Sequence, residues 1–152
     1  MSKKNLRIHF VCRGNSFRSR LAEAYLNSKK ISSIKATSSG ICADENLDGP
    51  ITWYGLRIIK NENLIRLMSN YWKKTAKKII AENDLIIFMT KRHYNFCKNF
   101  LNGKKFEIWD IDDIENVDNL THADNKIIKS SENIYKKIKK EVDNLVLRNK
   151  WL

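Results

Sequence analysis

The side chains best suited to chemistry lie near the N-terminus, in the run Cys12-Arg13-Gly14-Asn15-Ser16-Phe17-Arg18-Ser19. A thiol and an arginine six residues apart, with Gly14 and Asn15 between them, form a set fit to hold a tetrahedral oxyanion. The intervening peptides can curl so that their N–H groups point inward, and a helix starting after the curl adds the positive end of its dipole. Gly14 and Asn15 are residue types that tolerate the left-handed backbone such a curl requires. The planar fork of Arg18 matches two phosphoryl oxygens, a geometry lysine does not reproduce. Thiols at helix N-termini or beside arginine titrate at about 3.5 to 7.5 instead of about 8.5, which makes them thiolate nucleophiles at neutral pH. Cys12 is therefore the candidate nucleophile, Arg18 the candidate phosphate clamp, and Ser19 the candidate hydroxyl donor to the thiolate. With Ser19, the residues Arg13, Gly14, Asn15, Ser16 and Phe17 make up a candidate phosphate-binding loop.

Such a loop needs a strand before it and a helix after it. Leu6 to Val11 alternates Leu6, Ile8 and Phe10 against Arg7, His9 and Val11 and then breaks at Gly14-Asn15, which predicts a strand running into a turn. From Arg18 to Ser28 the pairs Leu21/Tyr25 and Ala22/Leu26 recur at helical spacing. Ile34 to Ser38 is a short second strand stopping at Ser39-Gly40, residues 44–50 form a loop, and residues of about 50–61 and 72–82 read as helices. The apolar run Leu85-Ile86-Ile87-Phe88-Met89, within Asp84 to Thr90, predicts a central strand buried on both faces. A helix from about His93 to Leu101 follows, then a fourth strand from Lys105 to Trp109 and the acidic tract Asp110-Ile111-Asp112-Asp113. A last helix from about Asn125 to Leu147 repeats Ile134, Ile138, Val142 and Val146 on one face, with Lys136, Lys137, Lys139 and Lys140 largely on the other. The alternation predicts an α/β three-layer sandwich, a four-stranded parallel sheet with helices on both faces, in which ligands bind at the carboxyl ends of the strands.

Composition sets the outer limits. With 152 residues, 42% hydrophobic and 30% charged, the expectation is a single domain spanning residues 1–152. Five Gly and one Pro exclude a collagen-like or low-complexity chain. The run Leu85 to Met89 falls far short of the roughly 20 apolar residues of a membrane span, and Ile8 to Val11 is too short for a secretory signal, so no membrane partner and a cytoplasmic location are expected. The net charge of +12 would attract anions, yet 21 Lys accompanied by 17 Asn and 19 Ile fit codon bias better than a selected nucleic-acid surface. Cys12, Cys42 and Cys97 have no metal-binding or disulfide spacing and predict reduced thiols. His9, His93 and His122 have no ligand spacing either, and neither metal nor cofactor is expected.

Val11 to Ser19, followed by Ala22-Glu23-Ala24, resembles the N-terminal signature of the low-molecular-weight protein tyrosine phosphatases. The likeness continues through Ser39-Gly40, Asp84 to Thr90 and the acidic tract after the fourth strand, so it covers most of the chain in order. The resemblance implies a cysteine-dependent phosphatase: thiolate attack gives a phosphocysteine intermediate that water hydrolyses. It also implies a carboxylic acid from the last loop, which falls on Asp113, with Asp112 and Asp110 as alternative registers. The implied substrates are a phosphotyrosine protein or a small aryl phosphate, with inorganic phosphate or another oxyanion as product or inhibitor.

Departures from the family pattern qualify each inference. Phe17 stands where a second loop cysteine is common, Arg20 where proline is usual, and Ile114 where proline follows the acid. Arg20 is expected to alter the start of the helix without touching a chemical role. The segments Ala43 to Leu47 and Ile114 to Val117 carry no aromatic pocket wall, leaving Trp53, Tyr54 and Trp109 open between pocket and core. Two other readings stay open. One is a thiol enzyme like the thioredoxin-coupled arsenate reductases, with Cys97 or Cys42 as a relay thiol, although Thr90 stands where an intermediate cysteine would be. The other is a catalytically idle phosphate or nucleic-acid binder with Lys73, Lys74, Lys77 and Lys78 on a basic helix face, although the sequence has no nucleic-acid motif.

Overall fold

The computed structural model describes residues 5–114 and 123–148. Residues 115–117 of the segment searched for a pocket wall, and His122, lie outside them. Four parallel strands, β1 (Leu6–Cys12), β2 (Ile34–Gly40), β3 (Leu85–Phe88) and β4 (Lys105–Ile108), pair in the order β2-β1-β3-β4. Between and after them run α1 (Arg18–Ser28), α2 (Trp53–Asn61), α3 (Lys77–Ala81), α4 (Lys91–Cys97) and α5 (Ala123–Arg148). The apolar run predicted to be central is β3, buried along its whole length beside β1.

Alternation along the strands divides the core in two. Ile8, Phe10, Cys12, Ala36, Leu85 and Ile87 pack with Leu21 of α1, Ile58 and Ile59 of α2, and Ile134, Ile138 and Val142 of α5. Val11, Ile86 and Phe88 point the other way, onto Ile80 of α3 and Cys97 of α4. Burial of aliphatic side chains such as Ile138 and Val142, each fully enclosed, contributes about 1.5–3 kcal/mol apiece. The result is the expected three-layer α/β sandwich. No helix among the described residues is long and apolar enough to cross a membrane.

Several elements differ from the sequence expectation, and the reasons bear on the site. The expected helix over residues 72–82 is only the short α3, because the chain before it is drawn along the end of β2. Gly40 N–H donates to Lys73 O at 2.9 Å and accepts at its carbonyl from Thr75 N–H at 2.9 Å. Lys73 and Lys74 therefore precede α3, and Lys74 is engaged with Asp44 at 3.0 Å, so the four lysines do not form a helix face. Helix α4 starts two residues earlier than expected, where Thr90 N–H donates to His93 Nδ1 at 3.2 Å. It ends sooner as well, passing into a 3-10 turn at Lys98–Phe100.

Strand β2 extends through Gly40, which pairs with Cys12 at the end of β1. The loop after Cys12 folds back over this glycine. A β-carbon on Gly40 would lie 2.5 Å from Arg13 O and 2.6 Å from Asn15 N, too close for any side chain. Beside it, His9 is enclosed in the sheet with Nδ1 2.7 Å from Thr37 Oγ1 and Nε2 2.7 Å from Ser39 Oγ. Burial first, and then the charges of Lys73 and Arg7, push the His9 imidazole down to about 3.

Two outcomes follow. Gly40→Ala must displace the backbone of the loop, an overpacking cost of about 1–3 kcal/mol, and thermal unfolding should show Tm lowered by several degrees; a change below about 1 °C would contradict the close approach. His9 and His93, both held neutral with values of about 3, take up protons in the unfolded chain below about 6.5 but not in the native state. Stability is then complete above pH 6.5 and falls as pH drops toward 3, by about 1.4 kcal/mol per pH unit for each histidine. Urea unfolding at pH 7 and pH 5 should show His9→Gln losing about 2 kcal/mol less than the wild type over that interval; equal losses would mean that His9 is already charged in the fold.

Candidate active site

The loop joining β1 to α1 is shaped by where its carbonyls go. Six consecutive carbonyls find acceptor roles outside it: Cys12 O with Ile41 N–H at 2.9 Å, Arg13 O with Cys42 N–H at 2.8 Å, and Gly14 O with Asn46 Nδ2 at 2.9 Å. Asn15 O accepts from Arg20 Nε at 2.8 Å, Ser16 O from Thr52 N–H at 2.8 Å, and Phe17 O from Leu21 N–H at 2.9 Å. In a trans peptide the N–H points opposite the carbonyl. Six carbonyls directed outward thus turn the following N–H groups, Arg13 to Arg18, toward the inside of the curl. Of the two residues expected to take a left-handed backbone, only Asn15 does, at φ 54°; Gly14 does not, and a β-carbon added to it would lie 3.3 Å from Ser16 Oγ.

Cys12 ends β1 with its sulfur buried in the loop. Sγ lies 2.9 Å from Ser19 Oγ and accepts from Asn15 N–H at 3.3 Å. Asn15 Oδ1 accepts from Lys73 N–H at 2.9 Å, which fixes the amide so that Nδ2 donates to Ser19 Oγ at 2.8 Å and to Ser38 Oγ at 2.9 Å. With its oxygen accepting from Asn15, the Ser19 hydroxyl is free to donate its proton to the sulfur.

Arg18 is buried and reaches across to the acidic segment. Nη1 donates to Ile111 O at 2.8 Å, and Nη2 is 3.5 Å from Asp113 Oδ2. The three candidate carboxylates are placed differently. Asp110 sits at φ 57° where the chain leaves the sheet, a conformation aspartate tolerates better than most residues. Asp110 and Asp112 both line a groove of about 620 Å³ with Arg13, Arg18, Arg92 and His93. Asp113 lines that groove and a second one of about 370 Å³ on the other side of the loop. Among the described carboxylates it alone touches Arg18.

The aromatic residues also separate. Trp109 is core, tilted against Phe10 at 5.4 Å, with Nε1 donating to Glu107 at 3.0 Å. Tyr54 lines the second groove and meets Phe17 edge-on at 4.9 Å. Burial, followed by the charge of Asp113, which lines the same groove, pushes the Tyr54 phenol up. Trp53 is half-exposed and stacks edge-on against Tyr54. Leu47 stands fully exposed at the rim of the same groove.

The remaining thiols are placed differently from one another. Cys97 lies in the opposite half of the core, where burial pushes its thiol up to about 12. Cys42 lines the second groove. His93 lies under the first groove and is kept neutral by burial and by Arg18, Arg92 and Arg13. Its Nδ1 accepts from Thr90 N–H, so the ring proton is on Nε2. No three metal-ligating side chains cluster among the described residues.

Two site residues escaped the sequence reading. Gly40 was read as a strand end and is the floor of the loop. Arg20, from which the sequence leads one to expect only an effect on the start of the helix, has an enclosed side chain that donates to Asn15 O in the loop and to Ser69 O at 3.0 Å and forms an ion pair with Glu23 at 3.8 Å. The one available signal was a charged residue on α1 close to the apolar positions Leu21 and Ala24.

The profile of the family described as low molecular weight phosphotyrosine protein phosphatase matches residues 7–148. No curated protein gives a significant match. Solved structures of similar fold include the low molecular weight protein tyrosine phosphatase from T. tengcongensis, with TM-score 0.67 and 22% identity over 92% of this chain and 99% of that one. The tyrosine phosphatase Wzb from Escherichia coli K30 in complex with phosphate gives TM-score 0.73 and 16% identity over 93% of this chain and 96% of its own. The YwlE arginine phosphatase from Geobacillus stearothermophilus gives TM-score 0.63 and 16% identity over 94% of each chain. At these identities the structural likeness is one of fold, while the family profile spans the Cys12 loop, all four strands and α5. The chain belongs to the low molecular weight phosphotyrosine protein phosphatase family and is, with it, a hydrolase.

Proposed function

We propose that the protein hydrolyses phosphate monoesters through a phosphocysteine intermediate on Cys12, with aryl phosphates and phosphotyrosine proteins as substrates. The observation that carries this reading is the Cys12 sulfur held by Ser19 Oγ and Asn15 N–H inside a loop whose carbonyls are all tied outward. In the first step the Cys12 thiolate attacks phosphorus, the P–O bond to the leaving group breaks, and the Asp113 carboxyl gives that oxygen a proton. The inward N–H groups and Arg18 hold the three equatorial oxygens as charge develops on them. In the second step the Asp113 carboxylate takes a proton from water, the water oxygen attacks phosphorus, and the P–S bond breaks to return the thiolate and release inorganic phosphate. Metal and cofactor have no part in this scheme.

Tyr54 and Phe17 support an aryl leaving group, since their rings form an apolar wall on the side of the loop where Asp113 stands. A second reading is favoured by the charge of that same groove, where Glu45, Asp48 and Asp113 outnumber the one cation, Arg13. Carboxylates around a leaving group suit a cationic guanidinium, so phosphoarginine in proteins is the competing substrate class. The relay chemistry of an arsenate reductase has no support in the placement of Cys97.

Cys12→Ser should abolish p-nitrophenyl phosphate hydrolysis; equal rates would remove Cys12 as nucleophile. Asp113→Ala should slow turnover on an ester with a poor leaving group by about 10² to 10⁴-fold, the size of a general-acid contribution, and an unchanged rate would move the role to Asp112 or Asp110. Tyr54→Ala should raise KM for the aryl ester with kcat nearly unchanged, as expected for uniform binding. Comparing kcat/KM on phosphotyrosine and phosphoarginine peptides of one sequence decides between the two substrate classes.

A further inference from the structure

Of the six outward carbonyls, that of Asn15 has the most demanding holder. Its partner is Arg20, whose side chain is 0% exposed and is the largest fully buried one among the described residues. Asn15 is also the loop residue in the left-handed region and the one whose N–H reaches Cys12 Sγ. A change at its carbonyl is thus passed through a single residue to the sulfur.

The two residues are joined by a closed ring of bonds. Arg20 Nε donates to Asn15 O, and Arg20 Nη1 faces Glu23 Oε1 at 3.8 Å. Glu23 Oε1 accepts from Ser38 Oγ, and Ser38 Oγ accepts from Asn15 Nδ2. Ser69 fastens the outer side: its carbonyl accepts from Arg20 Nη1 at 3.0 Å, and its N–H donates to Glu23 Oε2 at 3.1 Å. The cation is incompletely compensated. Glu23 stands at the long end of ionic contact, and Arg20 Nη2 is buried with no partner in the structure. Burial pulls the guanidinium below its ordinary range, and the opposing charges of Glu23, Cys12 and Tyr71 counter that pull. Arginine nonetheless stays protonated in proteins. An uncompensated buried cation is destabilising unless an anion lies near it.

We propose that Arg20 is a positioning residue for the loop, holding Asn15 in the left-handed conformation that aims its N–H at Cys12 Sγ and placing a buried positive charge behind that sulfur. This rests on the reading of Cys12 as the nucleophile. Arg20 touches neither substrate nor reacting atoms and acts through Asn15 and through its field.

The test compares wild type, Arg20→Met and Arg20→Lys in full-length protein. Iodoacetamide labelling of Cys12, followed by mass spectrometry from pH 4 to 9, needs no phosphatase activity. Inorganic phosphate, as protector against labelling, reports the affinity of the loop for an oxyanion. In Arg20→Met the labelling profile should move to higher pH by about one unit, and half-protection should need about tenfold more phosphate. Arg20→Lys restores the charge without the Nε bond to Asn15, so its labelling profile should return toward wild type while phosphate protection stays weak. Labelling and protection unchanged in a folded Arg20→Met would overturn the proposal and leave Arg20 a packing residue. If Arg20→Met does not fold, wild-type phosphate protection in Arg20→Lys overturns it equally. Failure of the nucleophile reading looks different: Cys12→Ser would remain active whatever the Arg20 variants do.

Discussion

Peptide groups are two-ended, and the site is governed by that fact. To offer N–H groups to an anion, the stretch from Cys12 to Phe17 must dispose of its carbonyls elsewhere, and buried carbonyls without partners are costly. Much of the surrounding structure supplies those partners. The extension of β2 through Gly40 brings Ile41 and Cys42 N–H alongside Cys12 and Arg13. Thr52, which caps α2 by accepting from Gly55 N–H at its side chain, gives its own N–H to Ser16. Asn46, in the segment before α2, reaches Gly14, and Arg20 reaches Asn15. The end of β2, the segment before α2, the start of α2 and the first turn of α1 are thereby fixed around one short loop.

The same constraint explains what could be read from the sequence and what could not. That Cys12, Arg18 and Ser19 come together was legible because their placement depends on spacing along one turn. The sheet was legible because β1 alternates its apolar residues before a turn signal and β3 is an apolar run buried along its whole length. The helix expected over residues 72–82 failed because backbone at Lys73 and Thr75 is claimed by Gly40, a tertiary demand that no local period reveals. Gly40 looked like punctuation at a strand end, since nothing local signals a loop lying 2.5 Å from its missing β-carbon. Arg20 was misjudged for a related reason: arginine is read as solvent-facing, and only Asn15 O, Ser69 O and Glu23 together make a place for it inside.

Charge, the most conspicuous property of the sequence, divides by depth. Arg18 and Arg20 are enclosed and act at fixed distances on named atoms. Lys74 and Lys29 are engaged at the surface with Asp44 and Asp143, contacts worth at most about 1 kcal/mol each and screened by salt. The excess of +12 is thus mostly a diffuse field around a site whose specific electrostatics depend on two buried guanidinium groups.

Anchoring the loop from six directions has a thermodynamic consequence. A loop free to flex would have to be ordered by each arriving anion, which would weaken binding by the entropy lost. Here the conformational restriction is incurred once, during folding, by contacts to Ile41, Cys42, Asn46, Arg20, Thr52 and Leu21. The binding step then carries little ordering cost, and the dipoles need almost no reorientation as charge moves onto the phosphoryl oxygens.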